Sequence, residues 1–288
     1  MNPILRGNAR TAFRDPACVY HAGTYYLFYT LSIKENGYLY NHIALSESRD
    51  LQHFTPPRIL TQTDRTKNYC SPGNILFYKG EFVLCFTSYP MPKPYLEQDC
   101  ADASARLFTM RTKDFRTFSE PALLRVKGDG VPVEQMGRMI DPFIAADKDA
   151  PGKYWIFYKQ NGVSMSYSYD LLHWTDCGHV EGGENACVLV EQDRYILIHS
   201  PQNGIGIKES EDLTHWNDLG TFYLKQDAWE WAQGRITAGF AMRAHAGLGY
   251  RYILFFHGSV RESVPETHGE ASIGIAFSNN LRQFTYTL

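Results

Sequence analysis

A five-residue ending recurs five times in this sequence and constrains the fold more than any other feature. Each copy reads Asp or Asn, then Leu or Phe, two variable residues, and Phe or Trp. The copies begin at Asp50, Asp114, Asp170, Asp212 and Asn280. A short alternating segment precedes each copy, as at 272–276, and such a segment is typical of a half-buried strand that leads into a polar turn. Repetition of this kind is the sequence signature of a repeat architecture.

A second strand signal lies upstream of each ending. Runs rich in aromatic and β-branched residues occupy 25–29, 82–86, 154–158, 195–199 and 252–256. A glycine precedes four of these runs as a turn signal, namely Gly23, Gly80, Gly152 and Gly249. One more apolar strand comes before each turn, so that each repeat of about 40 to 70 residues holds four short strands. The sequence predicts an all-β fold, a five-bladed β-propeller with four antiparallel strands per blade, as a single domain over residues 1–288.

The ends of the chain leave two readings of ring closure. Residues 1–10 either add a strand to the last blade or pack beneath it. The start of the sequence lacks the apolar run of a secretory signal. We therefore expect a cytoplasmic protein, or a secreted one if a leader has been removed.

Composition excludes several kinds of partner. The net charge is −3, with both signs interspersed, so there is no basic stripe for nucleic acid and no polybasic segment for a membrane surface. No run approaches membrane-spanning length. The six cysteines are Cys18, Cys70, Cys85, Cys100, Cys177 and Cys187. They lack paired spacings, which favours free buried thiols. The sequence does not indicate an oligomeric state.

The chemistry is expected at the starts of the blades, because the first strand of each propeller blade lies beside the central axis. The five predicted starts are 14–16, 71–73, 140–142, 183–185 and 235–237. Three of them carry an acid: Asp15, Asp141 and Glu184. The Asp-Pro pairs could serve only as turns, but Glu184 has no such role. Three carboxyl groups held close together repel one another and raise the pKa of at least one of them.

Such a cluster suits the hydrolysis of a glycosidic bond. That reaction needs one carboxylate to activate water and one carboxylic acid to protonate the leaving oxygen. An Asp in a polar setting stays ionised and suits the base, whereas a Glu beside a negative charge can hold a proton near neutrality.

Three motifs resemble glycoside hydrolase family 43, the arabinanase and xylosidase group of five-bladed propellers. They are Arg14-Asp15-Pro16, Ile140-Asp141-Pro142-Phe143 and Glu184-Asn185-Ala186. The resemblance implies an inverting enzyme with Asp15 as general base, Asp141 as the residue that tunes and orients the acid, and Glu184 as general acid. Family members usually have Pro where this chain has Ala186, so Glu181 is a competing acid.

The resemblance also suggests ligand-binding residues. His257 is similar to a histidine beside a structural calcium ion in the axial channel, although a hydrogen-bonded core histidine fits equally well. Arg235 is similar to an arginine that reaches sugar hydroxyls, with a salt bridge as the alternative. No cofactor is expected for the chemistry itself.

Aromatic and polar residues near the blade starts complete the expected site. Trp229 and Trp231 are candidates for stacking on a sugar ring, whereas Trp174 and Trp216 belong to the repeat and are expected in the core. Tyr69 and Ser71 are candidates for substrate binding near the second blade start. The expected partner is an oligosaccharide or glycoside.

Three functions are consistent with the sequence. The preferred one is an inverting, exo-acting hydrolase of short α-arabinosyl or β-xylosyl oligosaccharides. A retaining β-fructosidase-like enzyme would use Asp15 as nucleophile, but the Asn-Asp-Pro-Asn-Gly start of that group is missing here. A non-catalytic propeller that binds glycans or a protein is the third.

Overall fold

The chain forms a five-bladed β-propeller, as predicted. A computed structural model describes residues 2–62, 66–90, 104–261, 264 and 267–287. Five antiparallel sheets are arranged in chain order, and the first strand of each sheet contacts the first strands of its two neighbours around the ring. Short 3₁₀ turns lie at Val133–Gln135, Gln226–Ala228 and Ala246–Leu248.

The strands follow one pattern, with the innermost strand first and the outermost strand last. Blade 1 contains β1 (Thr11–His21), β2 (Thr24–Glu35), β3 (Tyr38–Ser48) and β4 (Arg58–Ile59). Blade 2 contains β5 (Lys67–Tyr78), β6 (Glu81–Pro90), β7 (Arg106–Thr112) and β8 (Ala122–Leu123). Blade 3 contains β9 (Ile140–Ala146), β10 (Tyr154–Lys159), β11 (Val163–Ser168) and β12 (Thr175–Val180). Blade 4 contains β13 (Glu184–Val190), β14 (Tyr195–Ser200), β15 (Ile205–Ser210) and β16 (Asn217–Phe222). Blade 5 contains β17 (Arg235–Arg243), β18 (Tyr252–Ser259) and β19 (Ser272–Ser278).

Both ends of the chain close the ring at blade 5. Leu5 pairs with Ile273, and Thr285 pairs with Phe277, so that two short segments lie along the outer edge of β19. Of the two readings left open by the sequence, pairing of the N-terminal segment with the last blade is the one observed.

The recurring ending is a turn that buries an apolar side chain. In the first copy, the Leu51 N–H donates to Ser48 Oγ at 2.9 Å, and Asp50 Oδ1 accepts from the backbone of the two residues after Leu51. The second residue of every copy is buried with a positive φ, at Leu51, Phe115, Leu171, Leu213 and Leu281. Side-chain oxygens of the Asp or Asn, and of a residue just before it, accept hydrogen bonds from the backbone N–H groups of this turn. This explains why the same residue types recur.

Every innermost strand also contains a β-bulge at the same level. The register shifts after Arg14, Cys70, Ile140, Glu184 and Thr237. The next residue has a positive φ near 50° in every blade: Asp15, Ser71, Asp141, Asn185 and Ala238. We call these five the bulge residues, and the five before them the collar residues. Bulges of this kind re-aim side chains, and they are frequent beside active sites.

The described cysteines are free thiols. Cys18, Cys70, Cys85 and Cys187 are buried as expected, whereas Cys177 is exposed on outermost strand β12. Cys100 lies outside the described residues. Among the residues that the structure describes, no helix has the length and apolar character needed to cross a membrane.

Candidate active site

A cavity and a narrow channel meet on the propeller axis. The cavity has a volume of 460 Å³, and all five collar residues line it. Below it lies a channel of 20 Å³ that all five bulge residues line. A space of this size admits about one water molecule and no sugar ring. A ligand must therefore enter from the cavity side and end at the level of the bulges.

The bulges correct the alignment of blade starts made from sequence. Asp15 and Asp141 are equivalent bulge residues, but the equivalent residue in blade 4 is Asn185, and Glu184 is a collar residue. In blade 5 the bulge residue is Ala238, rather than a residue of 235–237. Two carboxyl groups therefore lie at the junction with the channel, while the third lines the cavity above them.

Side chains of the preceding blade accept hydrogen bonds from the bulge N–H groups, and this explains the position of His257. Thr30, Thr87 and Ser200 stand at one position of three second strands and accept from the bulge N–H of the following blade. His257 holds the same position in β18, and its Nδ1 accepts from the Asp15 N–H at 3.1 Å. Burial lowers the pKa of His257 to about 3, so the ring is neutral near neutral pH and can accept.

The calcium site expected at His257 does not fit these residues. Calcium binds six to eight oxygen ligands, but the Nδ1 atom of His257 is already an acceptor for Asp15. Arg14 and Arg235 lie near enough to lower the pKa of this histidine. Within the described ranges no group of three His, Cys, Asp or Glu residues could hold a metal ion. We therefore derive no step through a metal ion.

Asp15 is held as a carboxylate. Its Oδ2 accepts from Thr30 Oγ1 at 2.7 Å, and Ser71 Oγ lies at 3.5 Å from the same atom. Burial acts to raise the pKa of Asp15, but the Arg14 guanidinium and the Thr30 hydrogen bond outweigh it, so the pKa lies below its ordinary value. Thr30 also accepts from the Ser71 N–H at 2.7 Å and thereby fixes the orientation of Asp15.

Asp141 is the carboxyl group that keeps a proton. It is 4% exposed, and its Oδ2 accepts from the Asn185 N–H at 3.0 Å. In blade 3, Lys159 holds the position of Thr30, Thr87 and Ser200 and cannot accept a hydrogen bond. Asp141 therefore accepts the bulge N–H of the following blade, which is that of Asn185. Burial raises the pKa of Asp141 to about 7, and the charges of Glu184 and Asp15 add to the rise. The most buried member of the group is therefore the one whose pKa is raised.

Glu184 is half-buried and lines the cavity, where it can reach a bound ligand. The competing candidate, Glu181, is exposed and is absent from the residues that line the cavity. The geometry therefore favours Glu184 as the third carboxyl group of the site.

The other predicted binding residues divide between the cavity and the core. Arg235 and Ser71 line the cavity, and Arg235 Nη2 donates to Thr237 Oγ1 at 3.3 Å. Tyr69 is buried in the hydrophobic core next to Phe86 and does not line the cavity.

Trp229 and Trp231 are not at the sugar site. Both are about 95% buried in the core and stack on each other with ring centroids 5.8 Å apart. The Trp231 ring lies against Gly274, where an added Cβ would come as close as 2.5 Å to it. Trp174 is buried and Trp216 packs against the core, as predicted.

Two arginines and a histidine are among the cavity residues that sequence reasoning missed. They are Arg14, Arg138 and His268. Arg14 Nη1 lies 3.4 Å from His268 Nδ1, and the Arg14 charge followed by burial lowers the pKa of this histidine well below its usual range. Arg14 and Arg138 could have been found from their positions next to the two Asp-Pro motifs, whereas nothing in the sequence around His268 marks it.

The site therefore combines two carboxyl groups whose pKa values are shifted in opposite directions around one cavity, with Glu184 lining the same space. Such a pair of environments is what acid and base catalysis requires. Comparison with known proteins identifies the class: the chain is a propeller glycosidase. Residues 9–200 match the model of the glycosyl hydrolases family 32 N-terminal domain, and the chain belongs to that family. No curated protein sequence matched.

Solved structures share the whole fold at low sequence identity. A glycosyl hydrolase from Bacteroides ovatus has 14% identity and a TM-score of 0.68, covering 98% of this chain and 92% of that one. The GH43_1 enzyme from Xanthomonas citri complexed with xylose has 12% identity and a TM-score of 0.66, covering 99% and 92%. An exo-1,5-α-L-arabinanase from a bovine ruminal metagenomic library has 12% identity and a TM-score of 0.62, covering 98% and 99%. Family 43 enzymes are thus structural neighbours, but the family model that matches is that of family 32.

Proposed function

We propose that this glycosidase hydrolyses short oligosaccharides with inversion, acting from the chain end on arabinosyl or xylosyl linkages. The observation that carries the proposal is that Asp15, Asp141 and Glu184 line one axial cavity, where their surroundings lower the pKa of Asp15 and raise that of Asp141. Inverting hydrolysis needs a base and an acid at the same time, on opposite faces of one sugar.

Each carboxyl group has a role that follows from its surroundings. Asp15, ionised and oriented by Thr30, removes a proton from the attacking water. Glu184, the most accessible of the three, protonates the leaving oxygen. Asp141, whose pKa is raised by burial and by the charge of Glu184, tunes and orients the acid.

The closed lower end of the cavity supports exo action. The 20 Å³ channel beneath the bulge residues stops a sugar at the level of Asp15 and Asp141. The terminal sugar would then occupy the cavity, and the rest of the chain would extend outward. The xylose-bound and arabinanase structures share this fold, which supports the choice of pentose linkages for the first tests.

A panel of nitrophenyl glycosides and oligosaccharides tests the proposal. We expect release of arabinose or xylose as single sugars from the ends of short chains, with no internal cleavage. Chromatography of the products measures this release. Internal fragments as first products would contradict exo action. Release of fructose alone would favour the retaining β-fructosidase reading, and tight glycan binding without any hydrolysis would favour a non-catalytic propeller.

A further inference from the structure

Arg138 is a half-buried arginine in the cavity wall. Among the residues that the structure describes, no ion pair involves its guanidinium, and its buried Nε makes no hydrogen bond. An arginine that lines a cavity without a carboxylate partner keeps its charge toward that cavity, where it can pair with an anionic group of a ligand.

The backbone that presents Arg138 is fixed. Gln160 Nε2 donates to Met136 O and to Arg138 O, both at 3.0 Å. Gly137 between them has a φ of +74°, and a Cβ there would come within 2.8 Å of the Gln160 amide. The arginine therefore leaves a turn that is hydrogen-bonded on both sides of a required glycine, so that its starting point is set before any ligand arrives.

Arg138 stands above the catalytic level rather than beside it. It precedes the collar residue Ile140 by two positions, as Arg235 precedes the collar residue Thr237 in blade 5. Both arginines line the cavity. The innermost strands run from the cavity toward the channel, so residues upstream of the collar lie farther from the bulges, where a substrate extends outward.

Arg138 is not the main counterion of Asp15 or Asp141. The pKa of Asp141 is set mainly by burial, by Glu184 and Asp15, and by hydrogen bonds from Ser71 and Asn185. The pKa of Asp15 responds instead to Arg14. A guanidinium that faces the cavity without neutralising its carboxylates is available to a charge brought by the substrate.

We propose that Arg138 binds an anionic substituent on the oligosaccharide, a uronate carboxylate or a sulfate ester, next to the sugar that is cleaved. The planar guanidinium donates two parallel hydrogen bonds to such oxygen pairs, and their negative charge makes these bonds stronger than bonds to the hydroxyl groups of a neutral sugar. This inference rests on the proposed function, since it names the class of substrate for the same cavity: acidic rather than neutral oligosaccharides.

Binding to an inactive protein tests the inference without hydrolysis. The probes are a neutral xylo- or arabino-oligosaccharide and the same chain carrying one glucuronate or one sulfate, titrated by calorimetry into Asp15→Asn protein. We expect the acidic chain to bind about 10- to 100-fold tighter than the neutral one. Adding Arg138→Met should abolish that preference, and adding Arg138→Lys should restore part of it. Adding Arg49→Met, which removes an exposed arginine outside the cavity, should leave it intact. The sulfate and glucuronate arms show which anion is recognised.

Equal affinity for neutral and acidic chains, or a preference that survives Arg138→Met, would overturn the inference. If the wild-type enzyme still hydrolysed neutral chains in that case, the proposed function would stand alone. A preference that depends on Arg138, in a wild-type protein that hydrolyses none of the probes, would support the inference and refute the proposed function.

Discussion

Replacing Asp15 by Asn is expected to lower kcat about 10²- to 10⁴-fold, the usual contribution of a general base. Asn keeps the shape of the side chain and an oxygen that can accept from Thr30 Oγ1 at its 2.7 Å position. It cannot accept a proton from water. Steady-state kinetics on the best substrate of the panel, with melting temperatures as a check on folding, measure the effect.

The matched control is Asp129→Asn, which removes an exposed carboxyl group near His173 on the surface. This variant should keep wild-type kinetics. An Asp15→Asn enzyme with more than about a tenth of the wild-type kcat would show that Asp15 is not the base.

Replacing Asp141 by Asn should stabilise the protein at high pH. The folded-state pKa of Asp141 is about 7, above its ordinary value of 3.8. Between those values the unfolded chain releases a proton that the folded protein retains, so this residue costs stability increasingly as pH rises from about 4 to about 7. Asn removes that cost and can still accept the Asn185 N–H.

We therefore expect the variant to equal the wild type near pH 4 and to exceed it by about 1–3 kcal/mol at pH 8, measured by denaturant unfolding at both pH values. In the wild type, kcat/KM should fall as pH rises through about 7, because Asp141 then loses its proton. A variant less stable than the wild type at pH 8 would contradict the assigned protonation of Asp141.

The fold could be predicted from sequence because its repeat is local chemistry. Ser48, Asp50 and Leu51 form a complete turn within four residues, and each blade repeats the same solution. The position of the bulges could not be predicted in this way. It depends on hydrogen bonds between blades, such as that from the Asp15 N–H to His257, which no local pattern reveals.

The same limit applies to the site. Asp15 and Asp141 could be found from their Asp-Pro pairs. In blade 4, however, the bulge residue equivalent to them is Asn185, one position after the predicted Glu184. Trp231 looked like a residue for sugar stacking because an aromatic in a loop has the same sequence pattern whether it faces a cavity or, as here, Gly258 and Gly274 on two core strands. The raised pKa of Asp141 could not be predicted from the sequence, since burial of Asp141 is a property of the assembled ring.

The most direct test of the account is the configuration of the first-formed sugar, followed by proton NMR during hydrolysis of the best substrate. With Asp15 as base and Glu184 as acid, the anomeric configuration of the released sugar should be opposite to that of the substrate, before mutarotation sets in. A first product with the configuration of the substrate would make Asp15 a nucleophile and contradict the inverting mechanism.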